Sequence, residues 1–204
     1  MERTMYKARV IAGEMLRARG YEIPESVTVI PFDEFRTRLA ARDHLDLYAE
    51  SNANGAIYVK FFPMGTKKLH QSSIEKEVNT VKSKLTNADG IHIVFVCEEA
   101  PQSNLQNLLR SQKYRDVEVM TYDQLQLNPT EHFLVPHHEL VPPEEEAGVL
   151  QRYNCTRGNI SQEFPKLLAS DPIARWFGMR PGRLCRITRI SEVTGRSTYF
   201  RLVK

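Results

Sequence analysis

Two successive units of different class are predicted: an α/β layer unit over residues 1–128 and a smaller α+β unit over residues 129–204. Three observations predict them. Strand-like and helix-like patterns alternate through the first part, the order that builds layered α/β units. Asn128-Pro129 then interrupts the periodicity. Beyond it come an extended stretch, a helix headed by acids and two β-rich runs about a glycine turn. A chain of 204 residues has room for two small cores.

Residues 4–19 read as a helix, because Ala8, Ile11, Ala12, Met15 and Leu16 fall on one stripe and Gly20 supplies a stop. A shorter helix follows Pro31, with Phe32, Phe35 and Leu39 on one side. Ile57 to Phe62 is rich in β-formers and is bracketed by Asn54-Gly55 and Pro63. Ser72 with Glu75 has the spacing of a capping box, and Ile74, Val78, Val81 and Leu85 continue one helical face until Asn87 to Gly90 ends it. Ile91 to Val96 is apolar nearly throughout, as a central strand should be. His92 within it reads as a packed or edge-facing side chain, and Cys97 as a buried thiol. A helix over 103–113 carrying Leu105, Leu108 and Leu109 and a strand at Val117 to Met120 complete the first unit.

In the second unit, Pro142-Pro143-Glu144-Glu145-Glu146 opens a helix with acids at its positive end. Asp171-Pro172 caps and starts a short helix closed by Gly178, with Trp176 and Phe177 in the core. Strands at 183–190 and 197–203 flank Thr194-Gly195-Arg196 as a hairpin.

Apolar residues make up 41% and charged residues 26%, a globular balance that argues against disorder. No apolar run is long enough for a transmembrane helix, and the charged first nine residues do not read as a signal peptide. Three scattered cysteines, Cys97, Cys155 and Cys185, point to a reducing compartment. The net charge of +3 is uneven. From Asp171 onward eight basic residues face two acids, so this segment carries +6 and the remainder −3. An arginine-dominated segment suits an anionic partner, either an acidic protein surface or nucleic acid.

Enzymatic signatures are absent. There is no phosphate-binding glycine loop, HExxH, paired CxxC or GxSxG elbow. His132, His137 and His138 with Glu131 and Glu139 resemble a metal set on paper, but an extended chain through Pro136 turns alternate side chains to opposite faces. No cofactor and no metal site are expected.

Several elements in order resemble a known family. Glu131 to His138 follows a Glu-His-x-Leu-Val-Pro-x-His pattern. Val149-Leu150-Gln151-Arg152-Tyr153 stands for Leu-Leu-x-x-Tyr, and Phe164-Pro165-Lys166-Leu167 loosely for Leu-Pro-Arg-Ile. Asp171 to Gly178 follows Asp-Pro-x-Ala-Arg-Tyr-x-Gly with Trp176 in place of Tyr, and Ile187 to Glu192 follows Ile-x-Arg-x-Ser-Glu. Gly195 to Val203 keeps the spacing of the closing element, with Ser197 and Phe200 replacing two tyrosines. Together these resemble the C-terminal domain of the fifth subunit shared by eukaryotic nuclear RNA polymerases, a domain that a small subunit of the archaeal polymerase resembles by itself. Arg19-Gly20-Tyr21 matches a landmark of the N-terminal half, whereas Ala100-Pro101-Gln102-Ser103 departs from its Thr-Pro-x-Ala segment.

The resemblance implies a non-catalytic subunit of a DNA-directed RNA polymerase, acting in the nucleus, or in the cytoplasm if a large DNA virus encodes it. The N-terminal unit would be a jaw domain of restriction-endonuclease-like topology near downstream duplex DNA. No lysine has an acid two positions before it, so the nuclease metal motif of such folds is missing. The C-terminal unit would be an assembly domain that docks on the largest subunit beside neighbouring small subunits. No membrane and no homo-oligomer are expected. Docking falls to His132, Pro136, His137, Asp171, Pro172, Arg175, Gly178, Arg180, Arg189, Ser191, Tyr199 and Arg201. Lys60, Lys67, Lys68, Pro101, Ser103 and Arg110 are the candidates for contacts to DNA, which would position the duplex without reading sequence. A stand-alone nucleic-acid-binding protein of the same fold is the alternative.

Overall fold

The computed structural model describes residues 1–41, 45–52, 54–65, 69–84, 90–109, 111–191, 193 and 195–204. The chain divides into two compact units, Met1–Leu127 and Asn128–Lys204.

The first unit runs α1 (Glu2–Ala18), α2 (Glu25–Thr28), α3 (Phe32–Ala40), β1 (Leu47–Ser51), β2 (Gly55–Phe61), α4 (Gln71–Lys84), β3 (His92–Cys97), α5 (Ser103–Leu109) and β4 (Val117–Thr121). Its sheet has the order β1-β2-β3-β4. β1 is antiparallel to β2, while β2, β3 and β4 are mutually parallel. The parallel pairs follow from the helical crossovers α4 and α5, which return the chain to the same end of the sheet. Ile93 to Cys97 are all buried, as expected of a central strand covered on both faces. Ile93, Phe95 and Cys97 pack with Ile74 and Val81 of α4 on one of those faces.

α1 buries the stripe that its periodicity specified, Ala8, Ile11, Ala12, Met15 and Leu16. It also buries Arg9, whose guanidinium donates to the carbonyls of Leu45 (3.1 Å), Thr28 (2.7 Å) and Val27 (2.7 Å). One side chain thereby joins two carbonyls of α2 and one from the segment leading into β1. Gly13 lets the α2 segment close onto α1, because a Cβ there would lie 2.4 Å from the Thr28 methyl.

Four expectations need correction. The edge strand β1 and the helix α2 were not predicted; each is short and partly polar. Ser72 is not a cap, because α4 begins at Gln71, and Glu75 instead accepts from the Tyr114 hydroxyl at 2.6 Å and pairs with Lys113 at 3.1 Å. Tyr114, first among its partners, holds the Glu75 carboxyl down at about 2. The helix expected over 103–113 is seen over Ser103–Leu109, and a separate 3-10 turn covers Gln112–Tyr114. Leu85 and the expected helix end at 87–89 lie outside the described residues. His92 is packed, with its Nε2 2.9 Å from Glu118.

The second unit contains β5 (His137–Leu140), α6 (Pro143–Arg152), α7 (Ile160–Glu163), β6 (Lys166–Leu167), α8 (Pro172–Trp176), β7 (Leu184–Ser191) and β8 (Gly195–Val203). The sheet order is β5-β7-β8-β6. β7 and β8 form the expected antiparallel hairpin, Leu184↔Leu202 through Ser191↔Gly195. Gly195 takes a φ of +68°, a conformation open to glycine without strain. Glu192 and Thr194 of the turn lie outside the described residues. The two-residue strand β6, parallel to β8, is too short to leave a periodic signal in the sequence.

Candidate docking surface

Period-two alternation divides the sheet of the second unit into two faces. On one face, Leu184, Phe200 and Leu202 pack with Val141, Val149 and Leu150 beneath α6, and with Ile160 and Phe164. On the other, Cys185, Ile187 and Val203 pack with Ala174 of α8 and with Met179 and Leu167. Burial pushes the Cys185 thiol up to about 11, so it is an inert core group.

On the face beneath α6, Arg157, Arg183 and Arg186 are paired internally. Arg186 donates to Glu139 at 2.9 Å and to Glu145, and its guanidinium lies 5.9 Å from the Phe200 ring centre. Buried Glu146 is shared by Arg183, at 3.3 Å, and Arg157. His137 belongs to this face, 3.8 Å from Glu139.

The face beneath α8 is different. Its buried end gives way to polar and aromatic groups as β7 and β8 run toward the hairpin turn. Arg201 stands opposite Cys185, Tyr199 opposite Ile187 and Ser197 opposite Arg189. Arg189 and Arg201 are exposed and Tyr199 is 53% exposed. Among the described residues, no carboxylate pairs with Arg189. Ser191 shares this face at the hairpin end and is half-buried.

α8 is positioned by its own cap. The Asp171 carboxylate accepts from Ile173 N at 2.8 Å and Pro172 takes the first turn, as the sequence predicted. Gly178 follows the helix at a φ of +60°. Trp176 is fully buried, and Arg175 and Arg180 are half-buried.

The predicted docking residues are therefore not one patch. Arg189, Ser191, Tyr199 and Arg201 share a face. His137 lies on the opposite one. His132 is exposed, its ring stacked on Phe133 at 5.1 Å, and Pro136 precedes β5. His138, not among the docking candidates, pairs with Ile187 on the α8 face, and its Nδ1 lies 2.6 Å from the Pro136 carbonyl. Burial lowers its basicity, the Pro136 carbonyl and Asp171 offset part of that, and His137 and Arg201 add to it. The alternation invoked against a metal site would have separated His137 from His138 and selected the second. Among the described residues, no group of three or more His, Cys, Asp or Glu side chains comes together to hold a metal.

Of the candidates for DNA contact, Lys60 is neutralised by Glu77 at 3.0 Å and its ammonium lies 5.9 Å from the Phe62 ring centre. Pro101 is half-buried and Ser103 is the exposed first residue of α5. Lys67, Lys68 and Arg110 lie outside the described residues.

A mixed α/β unit followed by a small arginine-rich α+β unit is the class of two-domain protein defined here. Both parts match known families. Residues 2–104 match the model described as RNA polymerase Rpb5, N-terminal domain, and residues 127–203 that described as RNA polymerase Rpb5, C-terminal domain. The chain belongs to the Rpb5 family of RNA polymerase subunits. It is 29% identical to DNA-directed RNA polymerases I, II, and III subunit rpabc1 of Dictyostelium discoideum, over 93% of this chain and 91% of that one. It is 27% identical to subunit RPABC1 of Caenorhabditis briggsae, over 98% and 95%. The archaeal DNA-directed RNA polymerase subunit Rpo5 of Methanococcus maripaludis is 43% identical over 72 residues, 35% of this chain and 87% of the archaeal one.

Proposed function

We propose that the protein is a non-catalytic subunit of a multisubunit DNA-directed RNA polymerase, whose C-terminal unit, 129–204, docks on the largest subunit beside neighbouring small subunits. The observation that carries this reading is the α8 face. Arginine and tyrosine are the side chains that anchor interfaces, and here they stand exposed on a rigid, well-packed sheet. On the opposite face Arg183 and Arg186 are already paired within the unit. Asp171, Pro172 and Gly178 act by setting α8, while Arg175 and Arg180 border the face from that helix and the segment after it.

The N-terminal unit, 1–128, is proposed as the jaw near downstream duplex DNA. Its mixed sheet with helical crossovers supports a restriction-endonuclease-like reading, and the missing acid-x-Lys motif supports a role without catalysis. With Lys60 paired, contact to DNA is weak and non-specific, and rests on the segment containing Ser103 and on Lys67, Lys68 and Arg110. The protein acts where the polymerase acts, in the nucleus.

A competition experiment tests the docking face. Wild type and an Arg189→Glu/Arg201→Glu variant, differently tagged and expressed together in the source cells, compete for the polymerase. The reading predicts that wild type dominates the assembled enzyme while both chains remain folded. Equal incorporation contradicts it.

A further inference from the structure

We propose that the groove between α1 and α3 of the N-terminal unit binds an acidic segment of a partner protein carrying an aromatic or aliphatic anchor. The groove has a volume of about 400 Å³ and is lined by Arg3, Tyr6, Lys7 and Val10 of α1 and Phe32 of α3.

Its floor is apolar for a specific reason. The polar end of its Tyr6 side chain, the hydroxyl, is spent on the Ile30 carbonyl at 2.9 Å. That bond fixes the ring edge-on to Phe32, with centroids 5.3 Å apart, and leaves carbon to line the groove. Tyr6, Val10 and Phe32 all remain only half-buried, so apolar area is left for an anchor to cover.

Its rim is cationic. Arg3 and Lys7 are exposed, and among the described residues neither has an ion-pair partner. They stand four apart on α1, where like charges repel by a few tenths of a kcal/mol. Two carboxylates of the same helix pair are engaged elsewhere, Glu2 by Arg36 at 3.1 Å and Glu34 by Arg38. An incoming anion relieves the repulsion. Carboxylates on the rim with an apolar side chain on the floor satisfy both features at once. A nucleic-acid backbone satisfies only the rim, since the floor offers it no hydrogen-bond donor.

The test uses the full-length protein and a fluorescein-labelled peptide, Asp-Asp-Phe-Asp-Asp-Leu-Asp-Asp, followed by fluorescence polarisation. The expected result is saturable binding that weakens about tenfold or more in an Arg3→Glu/Lys7→Glu variant. Both positions are exposed, and an unchanged circular-dichroism melt verifies the variant's fold. A second peptide with alanine in place of phenylalanine and leucine needs no change in the protein and should lose most of the binding. Absence of saturable binding overturns the proposal. So does binding indifferent to the charge reversals, binding retained by the alanine peptide, or displacement of the peptide by a short DNA duplex at equal charge. None of these outcomes touches the docking of the C-terminal unit.

Discussion

Arg19 and Glu118, ninety-nine residues apart in sequence, meet in a charge pair with Nη2 2.9 Å from Oε2. Arg19 is buried, and His92 joins the same carboxylate from β3 at 2.9 Å. The pair ties the end of α1 to β4. Burial alone would raise the Glu118 carboxyl, but Arg19 and His92 outweigh it and hold the group well below its usual range.

Glu118→Gln therefore takes the Glu118 carboxylate away from a buried guanidinium and should cost about 3 kcal/mol. The pH dependence has a definite sign. A carboxyl depressed in the folded state contributes stability above its unfolded value near 4.5, and that stability is lost as the pH falls further. Urea titrations of the N-terminal unit across the acid range should show a steep decline in the wild type and a shallower one in Glu118→Gln. Parallel curves would mean that the pair is not what sets acid stability.

Gly13→Ala tests a close approach. Helix propensity alone favours alanine by about 1 kcal/mol. The added methyl would meet the fully buried Thr28 at 2.4 Å, and overpacking of that kind costs about 1–3 kcal/mol. The clash should win, and thermal denaturation should show net destabilisation. A higher melting temperature would mean that α2 yields freely.

Asp171→Ala removes the cap of α8 and should destabilise the C-terminal unit by about 1 kcal/mol, while Asp171→Asn, which still accepts from Ile173 N, should restore most of it. If Asn restores stability but not entry into the polymerase, the charge itself contributes to docking. Equal loss in Ala and Asn would show that capping is not the structural role.

His138 gives the C-terminal unit its own acid sensitivity. Its basicity is lowered by burial, so its neutral form supports the fold above the unfolded value of 6.5, and this support is lost as the pH falls below that value. His138→Gln should flatten the stability profile between neutrality and mild acid, read by near-ultraviolet circular dichroism of the single tryptophan, Trp176, which lies in this unit. An unchanged profile would mean that His138 does not titrate in that window.

The sequence made legible those elements whose signal is periodic or local. α1 declared itself through a stripe of five apolar residues, the β7–β8 hairpin through two β-rich runs, and α8 through an Asp-Pro start. β1 and β6 escaped because strands of five and two residues at sheet edges are held by pairing partners rather than by their own pattern. The Ser72–Glu75 spacing misled because Glu75 found a stronger partner in Tyr114, far along the chain. At the candidate surface, residue types were readable but pairing was not. Nothing local distinguishes Arg186, spent on Glu139 and Glu145, from Arg189, which is left exposed three residues later.

The measurement that bears most directly on polymerase membership is affinity purification of the tagged full-length chain from its native source at high salt, with mass spectrometry of the bound proteins. The expected result is stoichiometric recovery of the large polymerase subunits, and their loss when Arg189 and Arg201 are both changed to glutamate. Recovery of the wild-type chain alone, with its tag accessible, would contradict membership.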